Sequence, residues 1–416
     1  MKLEFGYGPG VQTAEVPEKN VLAVLTANRI AHVRTGEEAV RYALQNPIGS
    51  APLRELAKPG QKTVIVTSDI SRPMPSYAVL PAVLDELHAA GVKNEDVTVV
   101  FGLGSHRGHT EAEKRRLVGD AVFEAVRCVD SDPSDCVRMG VTKAGTPVDI
   151  TRTVAEADFR ICLGNVEFHY FAGYSGGAKA IMPGVSTPAA IQHNHSMMVR
   201  PEACAGRLEG NPIRADIEEA GSICGVDFIV NVVLDEHKQI VYAAAGDVTA
   251  AHRDACWYLD RMYRVPIPAK ADIVLVSQGG APKDANLYQT QKALENAKYA
   301  AAKGAVILLI GACKEGFGSE KFERWLRDAP TPQSMAERIA QHFELGGHKA
   351  AAIGLVLANA DISLVSEMDA DTVRSIFMTP FSSVQEALDD ALRRKGPDAT
   401  IIAMPFGGST LPCLAE

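Results

Sequence analysis

Residues 64–101 read VIVTSDISRPMPSYAVLPAVLDELHAAGVKNEDVTVVF. The opening run, Val64-Ile-Val-Thr67, is short, β-branched and without polar alternation, the pattern of a strand buried on both faces. Residues 80–90 follow as a helix closed by Gly91, since glycine accepts the left-handed backbone of a helix C-terminus. Val97-Thr-Val-Val-Phe101 is the next strand. A strand, a helix and a strand in succession imply a mostly parallel sheet with helices packed on it.

Working outward, the same alternation recurs. Thr110-Glu-Ala-Glu113 has the spacing of a capping box, and Phe159-Arg-Ile-Cys-Leu163 reads as a strand. A second set of strands lies at residues 273–276, 306–310, 362–365 and 400–403, with helical patterns at 290–302 and 384–394 between them. Arg264-Val-Pro-Ile-Pro-Ala-Lys270 matches neither pattern, and its two prolines suggest a linker. The expectation is an α/β protein of two domains with mostly parallel sheets and an active-site cleft between them. Residues 1–268 would be the N-terminal catalytic and cofactor-binding domain, which the last dozen residues could rejoin. Residues 269–416 would be the C-terminal domain that closes over the substrate.

The chain has 416 residues, 42 Lys+Arg against 51 Asp+Glu, and a net charge of −9. That acidic balance argues against a nucleic-acid or anionic-membrane binder, so an anionic substrate must be caught by a local cluster of basic groups. No signal-peptide core and no membrane-length apolar run is present, which predicts a cytoplasmic protein. Eight scattered cysteines without a CxxC pair read as reduced thiols, not as a disulfide framework or a thiolate zinc site.

In parallel sheets ligands collect at the carboxyl ends of strands, and three such loops carry chemistry. Ser68-Asp-Ile-Ser-Arg-Pro-Met-Pro75 holds Asp69 and Arg72 in a proline-stiffened loop, where the guanidinium can bind a carboxylate bidentately. Gly102-Leu-Gly-Ser-His-Arg-Gly-His109 places His106 at a strand end, suited to proton transfer. Residues 164–184 join His169 to a glycine turn, Gly173, Gly176 and Gly177, that ends in Lys179. The glycines let backbone amides approach an anion, and a helix starting near Ala178 would add its positive end. The spacing is not that of a Walker loop, which disfavours nucleotide hydrolysis; Lys179 is placed as a nucleophile or covalent anchor. His193-Asn-His195 has metal-ligand spacing if extended, whereas on a helix its histidines diverge. Further on, Tyr288-Gln-Thr-Gln-Lys292 puts Gln289 and Lys292 on one helix face.

Together these residues resemble the lactate racemase family, the nickel-dependent racemases and epimerases of 2-hydroxy acids. The resemblance rests on the SDxxRPxP loop, the GxHR element at His106, the HxFAGYSGGAKAxxPG segment from His169 to Gly184, His195, and the YQxxK element at Tyr288 to Lys292. It implies a nickel-pincer nucleotide, a modified pyridinium mononucleotide bearing a thioamide and a thiocarboxylate, tethered to Lys179. Nickel would be ligated by the cofactor and His195, with His193 not needed. The α-hydrogen would pass reversibly to the cofactor as hydride while His106 and His169 act as acid and base, with a bound 2-keto acid between the two hands. Arg72, Tyr288, Gln289 and Lys292 would hold the substrate carboxylate. Asp69, Gly173, Ser175, Gly176 and Gly177 would contact the cofactor, and cofactor-making proteins would be partners during maturation. Two alternatives are a zinc-dependent hydrolase or aldolase using His169, His193 and His195, and a non-catalytic carrier of the nickel cofactor.

Overall fold

The 64–67 run is the middle of a strand, Thr63–Ser68, whose first five side chains are all buried. In the computed structural model, which describes residues 1–415, this strand lies at the centre of a six-stranded sheet. Across the sheet run Ile240–Gly246, Phe228–Leu234, Phe159–Val166, Thr63–Ser68, Val97–Gly102 and Arg127–Asp130. All pairings are parallel except that of Ile240–Gly246 with Phe228–Leu234. Because helices cover it, the sheet is largely apolar: Ile65, Val99, Ile161 and Val230 have no exposed surface. Truncating one such residue, as in Ile65→Ala, is expected to cost about 2–5 kcal/mol through lost transfer energy and the cavity left.

The chain moves outward from Thr63–Ser68 through two strands, then crosses back to Phe159–Val166 on the other side. The strand order therefore reverses between Thr63–Ser68 and Phe159–Val166, the place beyond whose carboxyl ends open α/β sheets bind their ligands. The helix after Thr63–Ser68 runs Ser76–Ala89, beginning earlier than expected, with Pro81 in its second turn. Gly91 closes it at a φ of 81°, and the Val92 amide reaches back 3.0 Å to the Leu87 carbonyl, the Schellman arrangement. The capping box at Thr110 is present with both bonds.

Two compact units divide the chain, residues 30–260 and residues 1–29 with 261–416. The expected single cut near residue 268 is thus corrected at the N-terminus. Val21–Val24 is an edge strand of the second sheet, beside Ile401–Met404, and the hairpin of Lys2–Tyr7 with Gly10–Glu15 buries Phe5 and Ala14 in that unit's core. Such short runs carry too little periodicity to declare their partner. In order, the second sheet holds Thr379–Phe381, Ala360–Val365, Ala301–Ile310, Ala271–Ser277, Ile401–Met404 and Val21–Val24, all parallel. Arg264–Ile267, expected as a linker, is a short strand paired with Leu411–Leu414, so the last residues stay with this unit. A two-stranded ribbon leaves an outer edge where a proline needs no partner. Among the described residues no helix is long and apolar enough to cross a membrane, and all eight cysteines are free thiols.

Candidate active site

Three strand ends of the 30–260 unit meet at the strand-order reversal, and each delivers one of the expected groups. Asp69 follows Thr63–Ser68 and is buried, with Oδ2 2.7 Å from His106 Nδ1. Since a carboxylate only accepts, His106 carries its proton on Nδ1 and presents the lone pair of Nε2. Burial alone would raise the Asp69 carboxyl, but the bond and charge of His106, the Ser71 hydroxyl and the Arg72 guanidinium together hold it below the usual carboxylate range. Arg72 is half-exposed, its Nε 3.8 Å from Asp69 Oδ1. Asp69 thus orients His106.

His109 stabilises that arrangement from behind. Its side chain is almost fully buried; Nδ1 lies 2.7 Å from Asp130, and Nε2 accepts the Ile70 amide at 3.0 Å. The His106 loop is tied to the end of the lysine loop as well, through a 2.8 Å bond from the Gly104 amide to the Gly184 carbonyl.

His169 ends a two-residue strand, Phe168–His169, bridged to Gly173–Tyr174. Its Nδ1 accepts the Ala172 amide at 3.2 Å. Burial first, then the positive fields of Lys179, Arg72, His195 and Arg214, hold the His169 imidazole well below its ordinary value of 6.5. Phe171 is the apolar hub of the cluster: its ring stands edge-on to His169 at 4.4 Å and to His195 at 4.9 Å, and Lys179 Nζ lies 6.0 Å from its centroid.

The Lys179 amine is likewise held far below 10.5, chiefly by burial and then by Arg214 and Arg72. Lowering the pKa of an amine in this way makes it more available as a nucleophile. Lys179 sits in a single 3-10 turn, Gly177–Ala180, and not at the head of the expected helix. Glycines before it and Pro183-Gly184 after it stop propagation, so no helix dipole is available there. Gly176 and Gly177 both have positive φ, and a Cβ on Gly177 would stand 2.9 Å from the His252 ring. One on Gly176 would stand 2.8 Å from Asn231 Oδ1. The turn is pinned by that same oxygen, which accepts the Gly177 amide at 2.9 Å. Gly173 also has positive φ, and its carbonyl accepts the Gly206 amide at 3.0 Å. Ser175 is occupied within the chain: its hydroxyl donates to the Asn165 carbonyl at 2.8 Å, and its own carbonyl accepts from His252 Nε2 at 2.8 Å.

His195 and His193 are on one helix, Pro188–Ser196, and they diverge. His195 is buried, whereas His193 is exposed and its Nε2 donates to the Ala144 carbonyl at 2.9 Å. Among the described residues no group of three His, Cys, Asp or Glu is arranged to hold a metal ion, so the donor triad of the zinc alternative is not assembled.

The remaining expected residues belong to the other unit. Asn286 caps the helix Leu287–Ala297 through the Gln289 amide, and Gln289 and Lys292 share a face one turn in. Tyr288 packs edge-on against Phe322 at 5.4 Å, and buried Lys349 donates to the Tyr288 carbonyl at 2.6 Å while lying 3.8 Å above its ring.

Sequence reasoning missed Arg214, His252 and Phe171. Arg214 is 1% exposed on the helix Pro212–Cys224, donates to the Ala172 and Tyr174 carbonyls, and has no hydrogen-bond partner for Nη1. Burial brings its pKa down to about 10. The only sequence signal was Asn211-Pro212, a helix start that placed this arginine in the first turn without showing what it faces.

Comparison with known proteins places the chain by family and fold. The family described as lactate racemase N-terminal domain matches residues 7–206, and the lactate racemase C-terminal domain matches residues 267–411. The lactate racemase of Thermoanaerobacterium thermosaccharolyticum is 32% identical over 421 residues, covering 98% of each chain. That of Lactiplantibacillus plantarum is 31% identical over 417 residues, covering 97% of this chain and 98% of its own. The solved lactate racemase apoprotein from T. thermosaccharolyticum superposes with a TM-score of 0.89, covering 99% of this chain and 100% of the other. A Thermotoga maritima protein, at 18% identity and a TM-score of 0.65, covering 91% of this chain and 98% of its own, shares the fold.

Proposed function

This chain belongs to the lactate racemase family, and on that premise we propose that it interconverts the two hands of a 2-hydroxy acid, lactate or a close relative, with a nickel-pincer nucleotide tethered to Lys179. The observation that carries the reading is the convergence on Phe171 of Lys179, His169 and His195. The residues fit the group. Lys179 is an amine whose pKa is held well below its ordinary value, which favours an acyl or thioacyl attachment. The glycine turn leaves backbone where side chains would collide, and the buried Nη1 of Arg214 has hydrogen-bonding capacity to spare. His195 would supply the protein's nickel ligand. When bound, the group supplies an acceptor and donor of the substrate's α-hydrogen as hydride.

The chain's own residues would do the remaining work. Arg72 would grip the substrate carboxylate with two parallel N–H donors. His106, with Nδ1–H committed to Asp69, would take the hydroxyl proton on Nε2. His169, with Nδ1 committed to the Ala172 amide, starts with its neutral-form proton on Nε2. Serving as base in the other direction, it must first give up that bond, so the two hands are not handled identically. For the other unit we propose that Tyr288, Gln289 and Lys292 contribute to carboxylate recognition. Cytoplasmic residence and maturation by cofactor-making proteins belong to the same reading.

The test is peptide mapping and metal analysis of protein co-produced with the cofactor-making enzymes, followed by assay of D- and L-2-hydroxy acids for loss of optical purity. An adduct on Lys179 that is absent in Lys179→Ala, with about one nickel per chain, supports the proposal. No adduct, in a host that loads a known lactate racemase, overturns it.

A further inference from the structure

Behind His195 lies a buried polar chain that the reading so far does not use. Asp216, 2% exposed on the helix Pro212–Cys224, accepts the Thr142 and Thr146 hydroxyls, the latter at 2.7 Å. It also accepts Asn194 Nδ2 at 2.6 Å, and Asn194 is fully buried. The other end of the Asn194 amide, Oδ1, lies 2.8 Å from His195 Nδ1.

The direction of every bond in this chain is forced. A carboxylate only accepts, so the end of Asn194 that faces Asp216 is its NH2 and the end that faces His195 is its carbonyl oxygen. That oxygen also only accepts, so His195 must carry its proton on Nδ1, and its lone pair is on Nε2. One buried carboxylate, read through one amide, thereby selects one tautomer of a histidine two residues away along the chain of bonds.

The network is also anchored. Thr142 and Thr146 belong to the turn between the strands Cys136–Val141 and Pro147–Thr151, where the Thr142 amide bonds the Thr146 carbonyl at 2.9 Å. That turn is clamped to both helices: its Ala144 carbonyl takes the His193 Nε2 proton at 2.9 Å, and its Lys143 amide donates to Glu219 at 3.0 Å. A Cβ on Gly145 would stand 3.5 Å from the His193 ring, in ordinary contact with it.

We propose that Asp216 and Asn194 are positioning residues that hold His195 in the tautomer protonated on Nδ1, the one whose Nε2 lone pair can ligate nickel, and that His193 anchors the turn that completes this network. The three residues His193-Asn194-His195 then have three different tasks: docking, relay and ligation. The inference rests on the racemase reading for the identity of the metal, though not for the tautomer.

The experiment has one arm without cofactor and one with it. In the apoprotein, 15N-histidine NMR, assigned with His195→Gln, is expected to show the His195 Nδ1–H form in the wild type and its loss in Asn194→Leu. After loading, Asn194→Leu and Asp216→Leu are expected to retain nickel at least tenfold less well, while the mass adduct on Lys179 persists. Because both sites are buried, the polarity swap Asn194→Asp with Asp216→Asn guards against a folding artefact. It restores an acceptor facing His195 and a donor facing that acceptor, and is expected to recover the tautomer and most of the nickel. Wild-type tautomer and nickel retention in Asn194→Leu would overturn the proposal, as would a swap that folds, by circular dichroism, yet recovers neither. A wild type showing the Nδ1–H form but taking up neither adduct nor nickel would overturn the racemase reading, and with it the ligation role, on grounds separate from the tautomer.

Discussion

At the scale of the residue, the site is governed by which nitrogen holds a proton and which groups are denied charge. His106 and His169 have opposite proton placements because one faces a carboxylate and the other a backbone amide. Replacing either with Ala is expected to reduce racemisation at least 100-fold, the usual worth of a positioned acid or base, while the Lys179 adduct and nickel remain. Turnover near wild type in either variant, in an optical-rotation assay, would remove that histidine from the pair. Arg72→Lys keeps the charge but not the planar fork. It is expected to raise KM roughly tenfold with unchanged adduct formation, and an unchanged KM would take Arg72 out of the substrate site. Asp69 and Arg72 were both legible from their proline-stiffened loop, but the partner of Asp69 was not, since residues 69 and 106 meet only because their strands are neighbours.

At the scale of the element, loops at strand ends are fixed by bonds from outside themselves. The Ile70 amide rests on His109, which rests on Asp130, so the loop carrying Asp69 and Arg72 is positioned from the neighbouring strand. His109→Leu leaves the part-buried Ile70 amide unpaired and removes the ring bond to Asp130, which keeps Lys114 and the residue-109 amide, at a cost of about 1–3 kcal/mol. It is expected to lower the urea midpoint of the apoprotein and to raise KM; wild-type values of both would sink this account of the loop. Capping box, Schellman closure and strand positions were readable because local spacing sets them. The 3-10 turn at Lys179 was not, because an alanine-lysine run between glycines and Pro183 reads as a helix start until the Asn231 bond to the Gly177 amide is seen.

At the scale of the whole molecule, burying neutral bases makes stability depend on pH. His169 and His252 are both held well below 6.5, in each case first by burial and next by a neighbouring cation, Lys179 for the former and Arg214 for the latter. The unfolded chain therefore binds protons near 6.5 that the folded chain refuses, and stability, full above that pH, is lost as the pH falls toward the folded values. The slope approaches about 1.4 kcal/mol per pH unit for each histidine. Urea midpoints of the apoprotein at pH 7.5, 6.5 and 5.5 are expected to fall in that order, less steeply in His252→Gln; a flat series would contradict the burial of these rings as neutral groups. The sequence by itself determined two α/β sheets, the strand ends that bear Asp69, His106 and His169, the lysine turn and the family to which they belong, because strand periodicity, caps and short motifs are written in neighbouring residues. Only the tertiary structure decided that residues 1–29 complete the second sheet, that His193 turns away from His195, and that Arg214, His252, Asn194 and Asp216 stand behind the site. Those are contacts between segments far apart in the chain, where a buried polar group takes whatever partner the packing brings to it, and nothing in its local sequence names that partner.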